Sequence, residues 1–228
     1  DPAPHDRSYF ESQLVAVNNY YRSVSYGKFG LDLDQSNVFP LSDENSYVLP
    51  KTMDYYHPYN QTDIHDQRVT ELFRDALETA YNDDEIDFSN FDHVVIFHAG
   101  IGQDFSLPFL DPTPEDIPST FIDDDMLQEF VGGMLQFGTA TINQGIILPE
   151  TQNHIFYQES ENIFLDAEEP CDYQYGLTGT FALMLGLAIG LPPLWDTNSG
   201  QSGIGIFGLM DHGSNNGRGL IPAPPDAW

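Results

Sequence analysis

The chain has 228 residues, 40% hydrophobic and 13% aromatic, which is enough for one sizeable core and far too apolar for a disordered segment. Its 36 Asp and Glu against 7 Lys and Arg give a formal charge of −29. A polyanion of this kind lacks the clustered cations that phosphate backbones and anionic membranes require. Nucleic acid and membrane surfaces are therefore excluded as partners, and the self-repulsion is of a kind that salt or divalent cations relieve.

In chain order, the first predicted element is an amphipathic helix over residues 8–26. Phe10, Leu14, Val17, Tyr21 and Val24 recur at three- and four-residue spacing, and Gly27 offers a stop. Residues 28–33, 37–41 and 47–50 read as short hairpin-like strands broken by Pro40, Pro50 and polar clusters. A second helix is expected over 64–81, with Val69, Leu72, Phe73, Ala76, Leu77 and Ala80 as its apolar stripe. Residues 91–98, F-D-H-V-V-I-F-H, have the β-branched and aromatic character of a buried central strand running into a turn at 99–102. Residues 106–125 are a Pro- and Asp-rich loop or insertion, 142–149 a further strand, and 158–172 an acidic exposed stretch.

A third helix is expected over 175–190, followed by a glycine-punctuated turn or strand over 203–210. The apolar run 180–194 is about five residues short of the length a membrane span wants and ends in a double proline, so it reads as a buried core helix. The element order implies a single mixed α+β domain over 1–228. Cys171 is the only cysteine, so no intrachain disulfide forms. Its acidic surroundings also disfavour a reactive thiolate.

The chemistry a helix like the third one can carry depends on what it presents. A zinc peptidase helix needs H-E-x-x-H, whose histidines lie one turn apart on one face, with the glutamate as general base toward zinc-bound water. The stretch 179–196 reads G-T-F-A-L-M-L-G-L-A-I-G-L-P-P-L-W-D. Phe181, Ala182, Gly186, Gly190, Leu191, Pro192, Leu194 and Asp196 match the F-A-H-E-F-G-H-x-L-G-L-P-D-L-Y-D pattern of the immune inhibitor A family of secreted, metzincin-like zinc metallopeptidases, which this stretch resembles.

Further patches resemble the same family in the same order. Asn19-Tyr20-Tyr21 and residues 25–29 are similar to its opening helix and strand, and residues 98–104, H-A-G-I-G-Q-D, to its H-A-G-x-G-x-E stretch. Ser202-Gly203-Ile204-Gly205 followed by Gly208-Leu209-Met210 resembles its glycine-rich link and methionine turn. The resemblance implies a zincin or metzincin-like α+β domain, a twisted mixed sheet with packed helices, in an extracellular or cell-surface protein. It also implies that the domain continues beyond residue 228.

By that resemblance, Leu183 and Leu187 stand where the family has its histidines, Met184 where it has its glutamate, and Pro193 where it has its acidic third ligand. Leucine and proline side chains offer no lone pair, and a thioether has no acid–base function at neutral pH, so no zinc is expected and no catalytic residue remains there. Leu183, Met184 and Leu187 are expected to fill the former metal cavity with hydrocarbon, with Met210 packed as core.

The remaining candidates carry less. Asp196, Asn198 and Asp211 flank the glycine-rich link and form a candidate calcium site, with residues 83–85 and 123–125 as further oxygen-rich stretches; none has EF-hand spacing. His93 and His98 are expected on opposite faces of one strand, His154 and His212 are isolated, and His57 and His65 lie in a polar region. No G-x-S-x-G elbow is present, and the H-A-G-I-G-Q stretch lacks the Lys and Ser/Thr of a P-loop. The expectation is a catalytically inactive, metallopeptidase-like domain serving a protein or peptide partner or self-assembly. The alternatives are an active metalloendopeptidase with its site elsewhere, and a calcium-stabilised surface or filament subunit.

Overall fold

A computed structural model describes residues 5–41, 46–105, 114–152 and 175–225. The architecture is mixed α+β. In chain order it runs α1 (Arg7–Val24), α2 (Met53–Tyr56), α3 (His65–Asp84), β1 (Val95–Ile101), β2 (Thr120–Ile122), α4 (Asp124–Phe130), β3 (Leu135–Phe137), β4 (Ala140–Ile142), β5 (Gly145–Thr151) and α5 (Thr178–Ala188). Among the described residues no helix is long and apolar enough to cross a membrane.

The organising element is β5. It is the middle strand of the order β1-β5-β2, parallel to β1 and antiparallel to β2, and every one of its residues is buried. A strand covered on both faces reads as a continuous apolar run, as G-I-I-L does, because neither face meets water. Its side chains alternate between two separate cores. Ile147 joins Val69, Phe73 and Leu77 of α3, Tyr56 of α2 and Leu127 of α4. Ile146 and Leu148 join Val17 and Tyr21 of α1 with Phe181 and Leu185 of α5. The neighbouring strands keep the same parity: Ile96 and Ile122 face the first core, Val95, Phe97 and Phe121 the second.

Gly145 opens β5 where no side chain fits. A Cβ there would stand 2.3 Å from the Phe73 ring. The short β3–β4 hairpin closes one end of the first core with Leu135, Phe137, Ala140 and Ile142.

The first core is also braced by charge. Asp75, 6% exposed, accepts from Lys51 at 2.9 Å, from Arg74 at 2.6 Å and from the Tyr56 hydroxyl at 2.8 Å. One turn earlier Glu71 accepts from Arg68 at 2.7 Å, from the Tyr55 hydroxyl at 2.8 Å and from Gln67 at 2.8 Å. Burial raises the pKa of both carboxyls, and the convergent donors outweigh it and hold both below the ordinary value.

Several sequence expectations need correction. Residues 28–33, 37–41 and 47–50 form no strands. Side chains satisfy their backbone in place of a ladder: Asn18 accepts from Leu31 N–H at 3.0 Å, and Arg7 donates to the carbonyls of Val38 and Pro40 at 2.8 and 2.7 Å. The strand expected over 91–98 begins at Val95 and continues through the expected turn to Ile101, with an irregular register after His98 and Gly100 at φ +88°. His93 therefore lies off the strand, so the alternation argument for His93 and His98 does not apply.

The expected loop 106–125 contains β2 and the start of α4 in its described part. Asp123 there caps α4 by accepting from Met126 N–H at 2.9 Å, so the Asp123-Asp124-Asp125 run is a helix start. At the other acidic run α3 continues through Asp84, and Glu85 ends it in the left-handed conformation. The 158–172 stretch, Cys171 and His154 lie outside the described residues.

Gly145→Ala is expected to lower stability by about 1–3 kcal/mol through overpacking against Phe73. Urea unfolding of the variant measures it, and a midpoint equal to wild type would show that the ring has room to move.

Candidate functional site

Helix α5 and the loop after it carry Leu183, Met184, Leu187, Pro193 and Met210. The helix is apolar on every side, and glycines let it approach its neighbours closely. A Cβ on Gly179 would stand 1.9 Å from the Ser214 carbonyl oxygen, and one on Gly186 would stand 2.7 Å from the Met210 sulfur. Met210 is 1% exposed and sits directly against the helix at Gly186. Across the same helix the buried Tyr21 hydroxyl of α1 donates to the Ala182 carbonyl at 2.7 Å.

The helix ends in a Schellman arrangement. Gly190, at φ +91°, donates to the Leu187 carbonyl at 3.0 Å, and Leu191 donates to the Gly186 carbonyl at 2.8 Å. Pro192 and Pro193 then forbid continuation. Leu194 N–H returns to the Met210 carbonyl at 2.8 Å, which ties the departing chain to the methionine turn.

The positions of interest divide by burial. Phe181, Ala182, Leu185 and Ala188 face the second core, between 0 and 8% exposed. Leu183, Met184 and Leu187 are only half-buried at its margin, and Pro193 is exposed. The expected hydrocarbon plug is thus not sealed. One turn apart on α5, Leu183 and Leu187 offer partly wet apolar surface.

Asp211, one of the candidate calcium ligands, is buried among hydrogen-bond donors. Its Oδ2 accepts from the Ser202 hydroxyl at 2.8 Å and from the backbone N–H groups of Gly203, Ile204 and Gly205 at 2.9, 2.7 and 2.8 Å. Its Oδ1 accepts from His212 N–H at 2.8 Å. Burial pushes the carboxyl up, but these donors prevail and hold it far below the ordinary carboxylate range. Four donors converge on Oδ2, so Asp211 organises the glycine-rich loop as a buried anion. Asp196 lies apart from it in an exposed turn, where its carboxylate accepts from the N–H groups of Asn198 and Ser199 at 2.9 and 3.1 Å. Among the described residues, no three or more His, Cys, Asp or Glu side chains are placed to hold one metal ion.

A second polar cluster occupies the ends of β1 and β5. Glu150, 4% exposed, accepts from the backbone N–H of His5, contacts the His5 ring nitrogen Nδ1 at 2.8 Å and accepts from Gly100 N–H at 3.1 Å. Asp104 accepts from Ser119 N–H and hydroxyl at 2.8 and 2.7 Å and from the Gln152 amide at 3.0 Å. The same amide donates to the Thr180 hydroxyl at 2.8 Å, linking the cluster to the first turn of α5. His98 is nearly fully buried, with Nε2 2.8 Å from the Ile117 carbonyl and Nδ1 2.9 Å from that of Ala99. Burial lowers its pKa, while those two carbonyls and the charges of Asp104 and Asp116 pull it the other way. Of its members, His98 and Asp104 lie in the H-A-G-I-G-Q-D stretch singled out in the sequence, whereas Glu150, Ser119 and Gln152 carried no signal there.

No protein-family model matches the chain, and no curated protein matches it.

Leu185→Ala is expected to cost about 2–5 kcal/mol and Leu187→Ala about 1 kcal/mol, since only the former is fully buried. Equal losses in chemical denaturation would mean that Leu187 is sealed. For Asp211→Asn, each N–H left without an acceptor costs about 1–3 kcal/mol. Because the folded carboxyl titrates below an unfolded one, its contribution holds above about pH 4 and fades as pH falls further. Stability measured against pH should therefore lose part of its acid slope in the variant; an identical slope would place the loop's anchor elsewhere.

Proposed function

We propose that this chain is a non-catalytic, metallopeptidase-like domain of an extracellular protein, which binds a polypeptide segment along the half-exposed face of α5. The observation that carries the reading is the character of that face. Leu183, Met184 and Leu187 present hydrocarbon where a zinc peptidase of the family the sequence resembles would present two imidazoles and a carboxylate. The closely packed Gly186–Met210 contact and the chain reversal at Gly190 are the kind of frame such a helix needs. Its chemistry is that of an apolar docking strip.

In the loop that follows, Ile206 and Phe207 are also exposed, at 58 and 79%. With a formal charge of −29, the surface around such a strip attracts a segment whose apolar anchor is flanked by Lys or Arg. Electrostatic steering of that kind sets the encounter rate, and the apolar contact sets residence.

Incubation with denatured casein and zinc is expected to give no hydrolysis above the protein-free blank. Chelator-sensitive turnover would overturn the non-catalytic reading. Fluorescence anisotropy with a labelled peptide carrying a Leu-Phe anchor between lysines tests the binding. Leu187→Asp should weaken it at least tenfold with the chain still folded by circular dichroism at the assay temperature, and an unaffected affinity would remove α5 from the binding face.

A further inference from the structure

His57 and His65 lie far from α5, on the other side of the sheet. His57 ends α2 and His65 opens α3, and the intervening residues fold back through a turn of 3-10 helix at Thr62–Ile64. The two ring centroids lie 5.0 Å apart, with their planes at 82°. They line a cleft of about 200 Å³ together with Asn60, Gln61, Thr62 and Gln103. His57 Nδ1 is buried and has no hydrogen-bond partner among the described residues. That is an unusual state for a ring nitrogen, since a buried polar atom without a partner costs about 1–3 kcal/mol.

We propose that His57 and His65 form a two-imidazole site for a borderline divalent metal ion of the zinc class, completed by amide and hydroxyl oxygens of the cleft and by water. The ring spacing fits that role. A nitrogen bound at about 2.0–2.1 Å puts an imidazole centroid about 3 Å from the metal, and two such arms at the tetrahedral angle set the centroids about 5 Å apart. The donor set selects the metal. Imidazole nitrogen suits zinc, nickel and copper, whereas calcium and magnesium prefer all-oxygen shells.

The electrostatics favour the ligand form. Burial first, then His57, hold the His65 imidazole below its ordinary pKa against the pull of Asp66. The excess of acidic residues raises the local concentration of cations over the whole surface. The site is independent of the α5 reading.

Isothermal titration of zinc chloride into the full chain tests it, in millimolar calcium to occupy surface carboxylates. One zinc site is expected to persist in calcium and to weaken at least tenfold in both His57→Gln and His65→Gln, while His212→Gln retains it. Affinity unchanged in both variants, or zinc displaced by calcium, would overturn the proposal. A second measurement needs no variant. In the wild-type chain, zinc should protect His57 and His65 from diethyl pyrocarbonate, read by mass spectrometry, and equal modification with and without zinc would overturn it as well. Zinc-dependent casein hydrolysis would count against the proposed function alone, and loss of the site in the glutamine variants would still stand.

Discussion

Double-sided burial of β5 is the constraint from which the rest of the architecture follows. A strand with neighbours on both edges satisfies its backbone within the sheet, but its side chains then need cover above and below. Ile147 requires α3, α4 and the β3–β4 hairpin on one side; Ile146 and Leu148 require α1 and α5 on the other. The two cores are chemically separate and share only the strands between them. The second core therefore positions α5, and the polar ends of β1 and β5 reach its first turn through Gln152 and Thr180.

The chain's charge makes its few cations informative. Of 7 Lys and Arg, Lys51, Arg68 and Arg74 converge on Asp75 and Glu71. A carboxylate inside a fold must be paired or hydrogen-bonded, and in a polyanion the cations available for that are scarce. Placing them at the α2–α3 junction neutralises the two acids nearest the first core. Elsewhere, inward acids rely on neutral donors: Asp211 on backbone N–H groups and the Ser202 hydroxyl, Asp104 on Ser119 and Gln152. Backbone amides do the work that cations would do in a balanced protein, and they do it without salt sensitivity.

Around α5, the features that make a frame and the features that make chemistry separate cleanly. Gly179, Gly190 and Gly203 are required by backbone approach or by a left-handed turn, whatever the helix presents outward. Leu183, Met184 and Leu187 carry no such requirement, because they sit at the edge of the core where side-chain identity is weakly constrained by packing. A frame of this kind holds an apolar face as well as it would hold a set of ligands.

The sequence by itself determined the long periodic elements, α1, α3 and α5, and the apolar strand β5, because amphipathic spacing and a continuous apolar run record burial directly. It also determined that no zinc ligand stands at 183, 184, 187 or 193, since that is a matter of side-chain chemistry alone. It misplaced the short extended pieces near the N-terminus, where Asn18 and Arg7 satisfy backbone groups that local pattern assigned to a ladder. It also missed α4, whose cap is an aspartate inside an acidic run. Only the tertiary structure decided that Asp211 is a loop anchor, that Leu183 and Leu187 are half-exposed, and that His57 and His65 share a cleft. Each depends on which groups from distant segments surround a side chain, and local sequence carries no record of that.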